Sequence, residues 1–524
     1  MPAMLPDTIP PRMMAPAIHL QRTVRQAARA IDPLAAGRIL RSAALMMGLL
    51  LLNMGGNVGA GVFFAILTIM VFVSPSMAFK SLGIMWLGLM INQFFVPKSL
   101  TWTPMRLILP YLCLARFGFD ILTTKSKMSL VRQPFYLVFL LYCGMMALCS
   151  LMSGWYTTIA LFKLLNFWAA FTAIFAGAFI LINRRIDVGE WTVSLIATAA
   201  GFGLLSIVSN QHYNFYKYSS RVDMFNGAFL HPNCHAAYGS LFVTFLLCVY
   251  SFSNYQRRWL VLPLIGLWGI FMLWSESRTS ITATLLGLVT LFIAGGPARR
   301  LHGWVRSAHL KRIHFGAWGF VALLVLVVGE LASQGGITSG LVGFINKKAV
   351  NDPSQGFDAT SILTSRIGLI NSGMDNFREN PIFGIGFQVA KTEFFVSNAT
   401  IFTAPAEKGF LPTAILEEGG VLGTIAFLLF IGVLVGTFIA QRNVAALTAF
   451  ATFTGSTMTE VSIFSPGGSG GFCWWMVAAA WVFGELCWRQ NPQTAFRPAH
   501  GRLGAARPAT ARLPQPLPGL PVAG

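Results

Sequence analysis

The chain has 524 residues, of which 55% are apolar and only 11% charged. Soluble proteins carry about 25% charged residues, so this chain lacks the polar surface to stand in water. Its formal charge of +20 would suit nucleic acid, but the long apolar runs exclude that and indicate a polytopic membrane protein.

Residues 1–38 are rich in Pro, Ala and Arg and read as a basic cytoplasmic arm. Within it, 17–31 suits either a helix on the membrane surface or a disordered arm. No short apolar core with a cleavage site opens the chain, so the first spanning helix is expected to direct insertion. Transmembrane helices are then expected over 39–332 and again over 414–488, from apolar segments near 39–53, 57–73, 79–96, 104–122, 134–152, 158–182, 191–209, 235–252, 259–275, 279–296, 316–332, 414–440, 443–461 and 472–488. A span needs about 20 apolar residues, so about 12–14 transmembrane helices are expected in an all-α fold. Residues 489–524 are another Pro/Ala/Arg stretch and read as a disordered cytoplasmic tail.

Charge sets the orientation. With both termini cytoplasmic, Lys80, Lys125, Lys127, Arg132, Arg184, Arg185, Arg257, Arg258 and the cluster Arg299–Arg312 all fall inside, as the positive-inside rule requires. The pair Lys98 and Arg106 is the one violation. This leaves two long external segments, 210–234 and 333–413. The second is far longer than an ordinary connection and is not low-complexity. It contains a helical stretch near 361–379 and an Asn-Pro-x-x-Gly-x-Gly turn at Asn380, Pro381, Gly384 and Gly386, which suits a folded cap. The seven cysteines lie mostly in apolar runs without a CxxC pair, so neither a disulfide framework nor a zinc site is expected.

Four short stretches carry polar groups that could do chemistry. The first is 274–280, with Glu276 and Arg278 at the external mouth of a helix pair. Ionisable groups at membrane depth are functional or paired, although an interfacial pair with a snorkelling arginine is the simpler alternative. The second is 219–235, with Arg221, His231 and Asn233. His231 and His235 have the four-residue spacing of metal ligands, but no further ligand completes a site, and Asn233 reads as a helix cap. The third is the loop helix with Arg366, which would otherwise be a solvated position on an amphipathic helix. The fourth is 406–423, where Glu407, Lys408, Glu417 and Glu418 precede Gly419, Gly420 and Gly423. Those glycines read as sites of close helix packing. Arg221, Arg278 and Arg366 share one face of the membrane and suit a diphosphate, because guanidinium forks grip phosphate oxygens in pairs. The external segments hold no DxD-like motif, so the arginines are expected to act without a metal, and no cofactor is expected.

The order of these stretches resembles the O-antigen ligase and Wzy-type polysaccharide polymerase superfamily. The matching pieces are 221–236, 275–280, 365–387 and 415–423, and the resemblance covers roughly 200–440. It implies a GT-C-like helical membrane glycosyltransferase with a large periplasmic loop, in the bacterial inner membrane. It also implies a glycan donor linked to undecaprenyl pyrophosphate, with membrane lipids, a flippase and a chain-length regulator as partners. By the resemblance, Arg278 and Arg366 engage the donor pyrophosphate and Arg221 lies near the donor groove. Among the remaining polar groups, His231, Asn233 and Lys408 are expected to line the substrate site, and Glu407 from its position, with Glu418 second, is expected to accept the proton from the attacking hydroxyl.

One departure separates the branches of the family. Ligases carry a His-Asn pair about eleven residues before the Gly-x-x-Gly of the following span, where this chain has Gly409 and Phe410. No histidine occurs anywhere in 333–413. The expectation is therefore a polysaccharide polymerase, with a ligase as the nearest alternative and a transporter as the alternative of another class. A transporter would place ionisable groups deep in its spans, where only Arg116 and Lys163 qualify; Lys163 reads as a partner within the bundle.

Overall fold

The computed structural model describes residues 36–91, 105–123, 130–154, 156–184, 186–209, 211–213, 224–229, 231–253, 258–275, 277–295, 367–389, 408, 410–458, 463–464 and 469–490. The apolar segments become helices: α1 (Ala36–Asn53), α2 (Gly56–Val73), α3 (Pro75–Leu89), α4 (Met105–Thr123), α5 (Pro134–Ser153), α6 (Thr157–Arg184) and α7 (Val188–Ser209). After a short ribbon come α8 (Pro232–Phe252), α9 (Leu262–Trp274), α10 (Arg278–Ala294), α11 (Ile367–Glu379), α12 (Leu411–Ala440), α13 (Val444–Thr457) and α14 (Ser469–Gln490). Seven of these are long and apolar enough to cross a membrane, so the chain is a helical multi-pass membrane protein. The apolar segment 316–332, the basic arm up to 35 and the tail from 491 lie outside the described residues.

Local chemistry sets the helix starts. Pro75, Pro134, Pro232 and Pro412 occupy first-turn positions, where a missing N–H costs nothing. Ser74 caps α3 by accepting from the Met77 N–H at 3.2 Å, and Asn443 caps α13 by accepting from Ala446 at 3.0 Å. Each such cap contributes about 1 kcal/mol. Inside a bilayer helices suit apolar runs because every backbone bond is satisfied within the segment.

One short element stands beside the helices of this all-α fold. Gln211–Tyr213 and Met224–Gly227 pair as a two-stranded antiparallel ribbon, β1 and β2, with His212 opposite Phe225. Segments of three and four residues carry too little alternation to be read as strands.

The core is aromatic and centred on α5, α6, α12 and α14. Phe139 stacks on Phe171 at 4.0 Å and Phe171 on Phe175 at 4.3 Å, while Trp474 meets Phe171 edge-on at 5.2 Å. Such pairs add about 0.5–1.5 kcal/mol beyond area burial. Two buried indoles find backbone partners: Trp474 donates to the Ile463 carbonyl and Trp475 to that of Phe79, both at 2.8 Å.

This packing defines two ends of the bundle. α6 has 28 residues, about 40 Å of helix. It begins near Lys163 and finishes at Arg184, beside which the last turn of α14 docks through Arg489 and the Ile182 carbonyl at 2.7 Å. α12 and α10 start at the Lys163 end, and α13 finishes there. The Leu411 N–H donates to the Met458 carbonyl at 3.4 Å, and a Cβ on Gly455 would lie 2.8 Å from the Ala283 backbone.

Candidate active site at a broken helix

The helix α12 is interrupted at Gly420, whose φ of 58° and ψ of −156° lie outside the helical region. In an unbroken helix the N–H groups of Val421 and Leu422 would donate to the carbonyls of Glu417 and Glu418. Here both rungs are opened and refilled from the Asn380–Gly386 turn. Val421 donates to the Pro381 carbonyl at 2.9 Å and Leu422 to that of Ile382 at 3.3 Å. In return the carbonyls of Glu417 and Glu418 accept from Ile385 at 2.8 Å and Gly386 at 3.0 Å. All four backbone groups opened by the break are thereby satisfied, as a low-dielectric surrounding requires.

Glycine makes this clasp sterically feasible. The turn closes on itself through the Gly384 N–H and the Asn380 carbonyl at 2.8 Å. Gly384 has φ 66°, and a Cβ there would lie 2.5 Å from the Glu417 carbonyl oxygen. A Cβ on Gly420 would run into the Ile382 backbone. Gly419 and Gly423 act as expected, letting the Met146 thioether of α5 approach to 2.9 and 2.8 Å of where a Cβ would stand.

The break carries a charged cluster. Glu417 and Glu418 are 7% and 2% exposed, and Lys408 and Lys163 are 7% and 5% exposed. Burying charges this deeply is costly unless they are paired. The Lys408 ammonium lies 2.9 Å from Glu417 Oε2 and 3.6 Å from Glu418 Oε1. Asn376 of α11 donates its side-chain amide to Glu417 Oε1 at 2.8 Å, holding that carboxylate from the other side. Lys163 of α6 donates to the Gln388 carbonyl at 2.8 Å, and the Gln388 N–H bonds to the Glu418 carboxylate. Arg106 of α4 is close enough for its charge to act on Lys163. Glu418 Oε2 is buried and has no hydrogen-bond partner among the described residues.

Aromatic rings wall this cluster. Phe387, which follows the turn, packs on Phe167 at 5.6 Å and Phe464 at 5.7 Å. Its N–H donates to the Ser150 hydroxyl of α5 at 3.1 Å. The rings exclude water from one side of the carboxylates, which strengthens every charge interaction there.

The sequence-based candidates divide into three groups. Lys408 and Glu418 are brought together directly. Arg278 begins α10 little more than one turn from Ala283, so it lies at the same end of the bundle, half-buried. His231, Asn233 and the ribbon form a separate region. His231, not Asn233, caps α8: its Nδ1 accepts from the Asn233 N–H at 3.2 Å, a correction to the expected Asn233 cap. The neighbouring Pro232 leaves position 231 as the capping residue. His235 is fully buried, stacked on Phe229 at 4.9 Å and edge-on to Trp268 at 5.4 Å, which gives it a packing role. Arg221, Glu276, Arg366 and Glu407 lie outside the described residues.

Three participants were not singled out as site residues from sequence, namely Asn376, Gln388 and Lys163, and Glu417 stood in the fourth stretch without a role of its own. Lys163 carried a signal, an ammonium inside an apolar run, and its partner is the loop backbone. Arg106 carried another, since it breaks the charge bias of the short loops.

Comparison with known proteins adds one match. Residues 263–428 match the O-antigen ligase family, Wzy_C. The matched stretch takes in α9, α10, α11 and the broken part of α12, hence Arg278, the clasp and both carboxylates. The resemblance drawn from the sequence motifs is thereby borne out. No curated protein matches the chain.

Proposed function

We propose that this multi-pass membrane protein, which carries the O-antigen ligase family region at 263–428, is a polysaccharide polymerase of the bacterial inner membrane. It would join oligosaccharide repeat units carried on undecaprenyl pyrophosphate, on the periplasmic side. The observation that carries a transferase reading is the carboxylate pair at the helix break, with Glu418 Oε2 left without a partner. The absence of histidine from 333–413 favours polymerase over ligase within that reading.

In this mechanism a hydroxyl of the acceptor glycan attacks the anomeric carbon of the donor. The bond from that carbon to the pyrophosphate oxygen breaks, and the electron pair leaves with the pyrophosphate. Arg278 and Arg366, with Arg221 beside the donor groove, take up the charge that develops on the leaving group. Glu418 accepts the hydroxyl proton, with Glu407 as the alternative acceptor. Lys408 and Asn376 hold Glu417, and through it the helix break, in place. His231 and Asn233 lie on the substrate side of the same face. Holding both glycans in one cleft supplies a further share of the rate.

The test is the surface polysaccharide profile of cells carrying Arg278→Ala or Arg366→Ala. Each substitution is expected to reduce high-molecular-weight polymer by about 100-fold or more, the usual effect of removing a charge-stabilising group. Protein levels in the membrane stay normal and single repeat units persist. Loss of glycan attachment with chain length intact would make the protein a ligase. Normal polymer from both variants would overturn the assignment.

A further inference from the structure

A second polar site lies at the opposite end of the bundle. Between α1, α3, α7 and α14 there is a small crevice of about 100 Å³. Its mouth is formed by Ser42, Lys80 and Ser194, all half-buried. The rest of its lining is mostly apolar, including Met46, Ile84 and Leu195, with Thr198 as a further polar group.

The polar groups divide by availability. The Ser194 hydroxyl already donates to the Glu190 carbonyl at 2.9 Å, within its own helix. Lys80 makes no hydrogen bond or ion pair among the described residues, and the nearest opposing charge that acts on it is Glu190. Arg38 and Arg41, at the start of α1, stand within about a turn of Ser42 and add positive charge to that end of the helix. The crevice therefore offers an ammonium at its opening and hydrocarbon behind it.

We propose that this crevice binds an anionic glycerophospholipid of the surrounding bilayer, its phosphate on Lys80 and one acyl chain along Met46, Ile84 and Leu195. The pattern of charge at the mouth and apolar lining behind matches an amphiphile and does not match a free anion. Basic pockets between spanning helices bind anionic headgroups in this way. The position is consistent with that occupant. Lys163 and Arg184 stand about 30 Å apart along α6, and the crevice lies at the Arg184 end. Positive charge concentrates at that end, where the anionic leaflet is expected.

The experiment uses the full chain, purified in detergent and offered phosphatidylglycerol or phosphatidylcholine, with retained lipid measured by native mass spectrometry after washing. Wild type is expected to retain phosphatidylglycerol preferentially. Lys80→Met reduces retention about fivefold or more, the scale of one lysine at a lipid surface. Lys80→Arg keeps it, and Ser42→Phe, which fills the mouth, loses it with the lysine intact. Gel filtration and melting temperature confirm that each variant is folded. Equal retention of the two lipids by wild type would overturn the proposal, as would undiminished phosphatidylglycerol in both Lys80→Met and Ser42→Phe. Displacement of the lipid by millimolar inorganic phosphate would identify a free-anion site and overturn the lipid assignment.

Discussion

The two ends of the bundle use buried charge differently. At the far end Asp120 is 4% exposed and paired with Arg184 of α6, with Arg116 at 3.7 Å one turn away on its own helix. These charges tie α4 to α6. At the loop end Lys163 reaches across 225 positions of sequence to Gln388, and Lys408 bridges two carboxylates on a broken helix. There the pairing is incomplete, because Glu418 Oε2 has no partner among the described residues. A buried ion pair that spans two helices fixes them; a carboxylate oxygen left open, on a group held in place by its neighbours, is what a reacting group would need.

The comparison breaks most severely if the helix break is removed. Gly420→Val places a branched side chain at φ 58°, a strain on the order of 1–3 kcal/mol, and pushes it into the Ile382 backbone. The turn at 380–386 is then expected to detach from α12. Product should fall below detection, and limited proteolysis should cut within 367–389 faster than in the wild type. Full activity with an uncut loop would show that the clasp is dispensable.

The contrast between the two kinds of buried charge is sharpened by one pair of variants. Glu418→Gln keeps the shape but removes the proposed proton acceptor. It is expected to lower polymer formation by about 100-fold or more, the usual scale of general-base loss, with the melting temperature nearly unchanged. Asp120→Asn should do the reverse. Breaking a buried pair costs about 3–5 kcal/mol, and half-exposure of Arg184 brings this to about 1–3 kcal/mol. Its melting temperature drops while activity per folded molecule is kept. If both variants behaved alike, the proposed division between the ends would be wrong.

Much of this fold was legible in the sequence, because apolar runs and charge bias are local signals. All but one of the expected spans correspond to described helices, and the Asn-Pro-x-x-Gly-x-Gly turn was visible from its residue types. The site was legible only in pieces. Glu418 and Lys408 stood out as charges next to a glycine run, but the glycines read as packing sites. That is true of Gly419 and Gly423 and incomplete for Gly420. Whether a glycine packs or breaks a helix depends on what refills its hydrogen bonds, and here the donors and acceptors come from a turn more than thirty residues earlier. Lys163 was conspicuous as a charge in a span, yet its partner is a backbone carbonyl, which no residue type announces.

The smallest expected effect lies on α11, which presents both situations on one helix. Asn376 faces inward and donates to Glu417, whereas Asp375 and Arg378 form an exposed pair at 2.9 Å with side chains 64% and 72% accessible. An exposed pair of this kind contributes about 0–1 kcal/mol, because water and salt screen it and two long side chains must be ordered. Asp375→Ala should therefore leave both polymer length and melting temperature unchanged within error. Asn376→Ala, one position away, leaves Glu417 Oε1 buried without its donor, at a cost of about 1–3 kcal/mol. It is expected to lower polymer yield measurably. Equal behaviour of these adjacent variants in the same polysaccharide gel would mean that α11 does not hold the carboxylate.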